Sequence, residues 1–423
     1  PMRLIIAVLF LLLPALAALG QDTPVGEWRS HLAYANAQQV AVAESKVYCS
    51  STNGLFVYDT QAQTLATISR LDGLSDTGIA DLEYHDPTQT LVIAYQNGNI
   101  DLLREEEVIN VRTLINADKP DTRIFDVYLH NSMAYFATAF GGFSFDLQAL
   151  TPQDTYENIG GSPSEGRSFG VVNNRLYLST DQGVYSVSLA DGVNQQDFNN
   201  WPPLPNLPSP PTRFAVHEET LYYAISGTGV FDYNEGNPVL LPVAGSQQVE
   251  FLTSTGNGLA IGTQSALVFL QNNTPTLIQN DAFSQINDAA VLDGQVWVAD
   301  GQAGLLRLEN GEASPFTPSG TLSSNAFRLF SAGKQIIAVA GGFDLNTLEP
   351  LNRQGSFYVF EEGTWQNFSS NAPLGVTPLP DVRDITSLAY SPSTQTYYFG
   401  TMGQGLLIWE KQGNTLTLEP SSP

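Results

Sequence analysis

Cysteine is nearly missing from this chain. Among 423 residues there is one, Cys49, so no internal disulfide can brace the fold. Its place within Val47-Tyr-Cys-Ser50 fits a buried small hydrophobe. Histidine is scarce as well. His31, His85, His130 and His217 are scattered, with no His-Glu-x-x-His spacing, which removes a common zinc signature. No Gly-x-Ser-x-Gly elbow, phosphate-binding Gly loop or dinucleotide fingerprint occurs. Positive charge is the next shortage: 17 Lys and Arg stand against 42 Asp and Glu, a net charge of −25. Nucleic acids and anionic lipid need clustered basic side chains, so a nucleic-acid partner is excluded. No cofactor or metal is expected.

Long apolar runs are also lacking. The exception, Leu4 to Leu13, is too short for a spanning helix of about 20 residues. With Met2-Arg3 before it and the small residues Ala18 and Gly20 after it, residues 1–20 read as an export signal cleaved before Gln21. No Cys follows the apolar run, so lipidation there is ruled out. The mature protein is therefore expected outside the inner membrane, in the periplasm or at the cell surface.

What the chain does have is repetition. Val47-Tyr-Cys-Ser-Ser-Thr-Asn-Gly-Leu-Phe-Val-Tyr-Asp59 returns as Leu176-Tyr-Leu-Ser-Thr-Asp-Gln-Gly-Val-Tyr-Ser-Val-Ser188. It returns again as Val296-Trp-Val-Ala-Asp-Gly-Gln-Ala-Gly-Leu-Leu-Arg-Leu308 and Tyr397-Tyr-Phe-Gly-Thr-Met-Gly-Gln-Gly-Leu-Leu-Ile-Trp409. Gly54, Gly98, Gly141, Gly183, Gly229, Gly304 and Gly405 hold one hairpin, with Ser265 and Gly355 near that place in two further units. The spacing is about 44 residues. Strand-and-turn repeats of this length indicate an all-β β-propeller of four-stranded antiparallel blades, about nine in number. Single rings usually have four to eight blades. We therefore expect a first propeller of about seven blades over residues 21–325 and the start of a second, truncated propeller over 326–423. Pro1 ahead of Met2 also reads as a partial frame.

The first unit parses into strands Gln38–Ala43, Lys46–Ser51, Gly54–Thr60 and Thr64–Ser69. Val40-Ala-Val-Ala43 and Leu91-Val-Ile-Ala-Tyr95 are apolar on both faces, as a sheet between two neighbours requires. In such a blade the second hairpin and the linker to the next blade emerge on one face. That face carries Leu71-Asp-Gly-Leu-Ser-Asp-Thr-Gly-Ile79, and Asp72 and Asp76 are the candidate ligand-binding residues, with local turn bonding as the competing role. Trp201-Pro-Pro-Leu-Pro-Asn-Leu-Pro-Ser-Pro-Pro211 reads as a stiff spacer between the fourth and fifth units or a partner-docking segment. Residues 341–355 form an insertion in the eighth unit. Catalytic residues are not identifiable, although plentiful carboxylates leave a glycosidase-type pair open.

The N-terminal third resembles a known family. Trp28-Arg-Ser-His-Leu-Ala-Tyr-Ala-Asn-Ala37, the Val47–Asp59 stretch, Asp72-Gly-Leu-Ser-Asp76, Leu91-Val-Ile-Ala-Tyr-Gln-Asn-Gly-Asn-Ile-Asp-Leu102, Asp154-Thr-Tyr156 and Ile159-Gly160 are similar to PorZ, the propeller family of the Bacteroidetes type IX secretion system. The resemblance covers residues 28–160; beyond that the repeats resemble two-component regulator propellers. It implies a non-enzymatic component at the outer membrane. It further implies partners in the attachment complex, the sortase PorU with PorV and PorQ, and handling of lipopolysaccharide as the cargo's anchor. No binding residues carry over. The family pattern of two propellers and a β-sandwich exceeds this chain, and a net charge of −25 demands a local basic cluster for an anionic glycan. Arg104, Arg112 and Arg123 are the densest Arg stretch, with scattered solvated side chains as the competing role. The alternative is the extracellular sensor propeller of a hybrid two-component regulator; a polysaccharide-degrading enzyme is a third possibility. Ring closure is open between two arrangements, with a strand at Trp28 paired either to the seventh unit or to a blade beyond Pro423.

Overall fold

The computed structural model describes residues 29–105, 107–207, 210–234, 237–243, 248–272 and 274–420. The export segment at 1–20 and Trp28 lie outside these residues. Among them, strands group into nine sheets, seven of four strands, one of three and one of five. All pairings are antiparallel except a two-residue strand, Thr377–Pro378. The sheets are numbered here as blades: 1 (37–68), 2 (79–111), 3 (124–157), 4 (166–188), 5 (213–240), 6 (251–279), 7 (286–315), 8 (328–378) and 9 (385–419). This is the β-propeller architecture the repeats indicate.

Two compact units exist. One contains Leu32–Ser324 with Ala372–Val376; the other contains, of its described residues, 29–31, 325–371 and 377–420. In the first unit, blades 1 to 7 form a ring. The first strand of each blade lies innermost and touches its counterpart in the next, the strand of blade 7 (Ile286–Leu292) returning to that of blade 1 (Ala37–Ala43). Each seam has its own apolar core. Between blades 2 and 3, Val92, Ala94, Ile100 and Leu102 meet Ile124, Val127, Phe136 and Phe143. All six residues of Thr90–Tyr95 are buried, because this sheet is covered on both faces. Outer strands such as Thr64–Ile68 face solvent.

The hairpin glycines have a steric reason. Gly141 has φ +123°, and a Cβ there would come 2.1 Å from the Tyr156 carbonyl oxygen on the outermost strand.

Blades 1 and 7 each keep four strands of their own, so the ring closes by packing rather than strand exchange. Trp297 of blade 7 and Phe316, the residue after its last strand, pack on Tyr58 of blade 1, with ring centroids 5.6 and 4.6 Å from the Tyr58 ring. The Asn287 side-chain amide donates to the Ala37 carbonyl (2.7 Å) and that of Asn36 to the Gly301 carbonyl (2.8 Å).

Blade 4 departs from the repeat. It has three strands, and Pro202–Leu204, from the start of the Pro-rich stretch, lie on the outer edge of Val184–Ser188. Ser186 N donates to the Pro202 carbonyl (3.2 Å) and Leu204 N to the Val184 carbonyl (2.7 Å). The stretch is thus an edge cover and not only a spacer. Prolines suit this place because a strand that ends a sheet needs no outward N–H groups. Trp201 anchors it, buried against Tyr156 at 5.6 Å with its indole N–H donating to the Gln195 carbonyl.

In the second unit, Phe357 of blade 8 stacks on Phe399 of blade 9 at 4.0 Å, joined by Phe368, Tyr397 and Trp409. Residues 29–31 lie on the outer strands of blade 8. Arg29 donates to the Gly363 carbonyl (3.3 Å), and the Trp365 indole N–H donates to His31 Nδ1 (3.1 Å).

Candidate functional site

The ring encloses a central channel of about 890 Å³ lined by the innermost strands of all seven blades. Its chemistry follows from one recurring sequence feature. Ile79-Ala-Asp81, Ile124-Phe-Asp126 and Ile286-Asn-Asp288 each open an innermost strand with an aspartate two residues after an isoleucine. At this step an extra residue bulges the strand in blades 1, 2, 3, 4 and 7. A bulge re-aims the next side chain, and here it turns the polar group toward the neighbouring blade.

The result is a belt of bonds between blades. Asp81 accepts from Val127 N (2.7 Å), joining blades 2 and 3. Ser168 Oγ donates to Asp126 (2.9 Å) and is 3.3 Å from the Phe214 carbonyl, joining blades 3, 4 and 5. Arg213 Nε donates to the Glu250 carbonyl, joining blades 5 and 6. Thr253 Oγ1 donates to Asp288 (3.3 Å), and Asp288 accepts from Val40 N (3.0 Å), carrying the belt through blades 6 and 7 to blade 1. Glu83, two residues beyond Asp81, accepts no hydrogen bond from the described residues.

Enclosure shifts the acidity of these groups. Burial pushes the Asp81 carboxyl up to about 6 and that of Asp288 to about 7, against the opposing pull of backbone N–H groups. Glu83 and Asp126 are raised well above the usual carboxylate range, first by burial and then by neighbouring carboxylates, Asp81 being common to both. Both groups therefore give up their charge more readily than an exposed carboxylate, which lowers the negative charge held inside the ring. At one mouth of the channel Arg167 and Arg213 stand among Glu165 and Glu250. No group of three or more His, Cys, Asp or Glu able to hold a metal ion is found among the described residues.

Asp72 and Asp76 lie elsewhere, on the linker between blades 1 and 2, and neither lines the channel. Asp72 accepts from the backbone and hydroxyl of Ser69 (2.9 and 2.7 Å), closing a short 3-10 turn. Asp76 accepts from Thr77 N (2.9 Å) and the Asn97 amide (2.5 Å), tying the linker to the blade 2 hairpin. The Arg stretch is dispersed. Arg104 bonds Thr90 (2.8 Å) and the Leu147 carbonyl, Arg123 pairs with Asp121 (2.7 Å), and Arg112 is exposed. Cys49 is buried, and burial pushes its thiol up. The channel aspartates are isolated acids in strands of mixed composition, and the repeated Ile-x-Asp is the one sequence signal that marks them.

Residues 47–202 match the family model described as the type IX secretion PorZ N-terminal β-propeller domain. No curated protein matches the chain. Among solved structures, PorZ of Porphyromonas gingivalis, described as an essential bacterial surface component of its type IX secretion system, is 22% identical with a TM-score of 0.79. The match covers 94% of this chain and 53% of that one, so the chain spans about half the length of the PorZ structure. A structure of the mitotic checkpoint complex matches at 13% identity and a TM-score of 0.48, over 69% of this chain and 96% of that chain. The chain is PorZ-like in sequence over 47–202 and in fold over nearly its whole length. No helix among the described residues is long and apolar enough to cross a membrane.

Proposed function

We propose that this PorZ-like chain is a non-enzymatic component of a type IX secretion system, exported and associated with the outer membrane, that binds and positions partners. The observation that supports this reading most is the family match at 47–202 falling on four blades of a ring built as a display scaffold. The finer reading follows the PorZ resemblance: the partners are the sortase PorU with PorV and PorQ, and lipopolysaccharide is the glycan handled. The engagement of Asp81, Asp126 and Asp288 in bonds between blades favours a structural over a catalytic use of the channel acids. Affinity capture of the tagged full-length protein from a type IX-secreting bacterium should recover the sortase complex. Recovery of a membrane-bound kinase in its place would favour the sensor alternative. Steady turnover of a glycan, abolished by one carboxylate substitution, would refute the non-enzymatic reading.

A further inference from the structure

The insertion in blade 8 is built more rigidly than a decorative loop requires. In blades 1, 3, 5 and 7 the second hairpin is short, running 51–54, 138–141, 225–229 and 300–304; in blade 8 it runs from Val339 to Ser356. Asp344 organises the tip. Its carboxylate accepts from Asn346 N (2.8 Å) and Thr347 N (2.9 Å), its carbonyl from Leu348 N (2.8 Å), and its own N–H donates to the Glu349 carbonyl (2.9 Å). Phe343 bridges to Pro350 and packs edge-on against Phe327 at 5.1 Å. At the base, Asp384 accepts from Asn352 N (2.7 Å) and Arg353 N (3.0 Å).

This frame holds leucines outward. Leu345 is 78% exposed, Leu348 64% and Leu351 42%. Leu348 also has φ +60°, a left-handed conformation that Asn and Gly adopt readily and Leu rarely. Among the described non-glycine residues with positive φ, the only apolar ones are Leu150 and Leu348. Leu348 is the more exposed of the two, 64% against 37%, so burial offsets less of its backbone strain. Such positions persist where another function requires them.

We propose that the 341–355 loop is a preformed knob whose Leu345 and Leu348 insert into an apolar pocket, rimmed by Lys and Arg, on another protein. The rim follows from charge at the tip, because the nearby cations, Arg353 and Arg383, bond the Gly341 and Asn352 carbonyls at the base of the loop. Backbone N–H groups from Thr347 and Asn346 hold the Asp344 carboxyl below its usual range, so it stays ionised, and Glu349 flanks it. Neither is in an ion pair among the described residues. An anionic bilayer, or a second copy with the same net charge of −25, would meet these carboxylates with like charge. Binding energy concentrates in a few anchors that fill desolvated pockets inside a ring that excludes water, a role leucine takes less often than Trp, Tyr or Arg but one that a rigid outward frame permits. This inference stands apart from the secretion reading.

The test uses the full-length protein in the organism that encodes it, with a benzophenone amino acid in place of Leu345, Leu348 or, as a control, the 63% exposed Leu71. The expected result is a protein adduct of one defined mass from 345 and 348 but not from 71. With the probe at 345, Glu349→Lys should lower the yield at least tenfold. Leu348→Asn should also abolish the adduct while leaving the melting temperature unchanged or higher. A lipid adduct, an adduct of twice the chain mass, an adduct within the same chain, no adduct, or one indifferent to Glu349→Lys would overturn the proposal. So would a lower melting temperature in Leu348→Asn, which would show that the leucine serves the fold.

Discussion

Asp288 allows a test in which the sign of a mutation should change with pH. The side chain is 6% exposed and accepts hydrogen bonds from Val40 N, Ala289 N (2.8 Å) and Thr253 across the seam that closes the ring. Burial raises its carboxyl from 3.8 to about 7. A group raised in the folded state stabilises the fold fully below its unfolded value. That contribution is lost as pH climbs from about 4 through about 7, because unfolding then releases a proton. At 1.36 kcal/mol per pH unit the loss amounts to ~4 kcal/mol. Asp288→Asn cannot ionise, so it escapes this loss. It also exchanges one acceptor oxygen for an amide, leaving a buried N–H without a partner at a cost of ~1–3 kcal/mol. The larger effect wins above pH 7, where the variant should be the more stable protein by ~1–3 kcal/mol. Below pH 4 only the lost acceptor remains, and it should be the less stable one by a similar amount. Urea unfolding of both proteins from pH 4 to 9 reads the crossing directly. A variant destabilised equally at pH 4.5 and pH 8 would refute the assignment of Asp288 as a strained, buried acid.

Three further outcomes follow from the packing. Trp297→Ala should lower stability by ~3–5 kcal/mol, since it empties the closure core, and a denaturant titration reads the loss. Gly141→Ala should destabilise more than replacements at Gly227, where a Cβ meets nothing within 4 Å, although φ is positive at both; paired thermal melts make the comparison. Burial and then Arg29 lower His31 from its usual 6.5, and the ring must be unprotonated at Nδ1 to accept from Trp365. Because the fold favours the neutral ring, acid should loosen residues 29–31, visible as a change in tryptophan fluorescence below pH 6.5 that His31→Phe abolishes.

The blades were legible because each is one contiguous run whose turns need glycine or asparagine and whose strands must be apolar on both faces. The first unit shows how closely: Lys46–Ser51 is observed as parsed, and the other three strands differ by a residue at one end. Blade 4 resisted the same reasoning, because prolines in the place of a fourth strand look like a linker until the edge they cover is seen. Residues in the linker after blade 1 drew attention as polar groups on a functional face. Asp72 and Asp76 are there, but their bonding is to their own turn and hairpin. The channel acids escaped for the opposite reason. A single aspartate in a strand of mixed composition has no period of its own, and only the bulge, which depends on the partner strand, decides where it points.

The ring's first and last residues meet. A Cβ on Gly320 would lie 2.2 Å from the Leu32 carbonyl oxygen, and the Asn53 amide reaches Ser324 Oγ at 3.1 Å. A closed body whose two termini emerge at one point is a cassette. It can be spliced into a host sequence, or cut at another hairpin and rejoined, without altering a blade. Tension applied through its flanks falls on one seam, the one held by Asp288 and Trp297, while the remaining six carry no load until that seam parts.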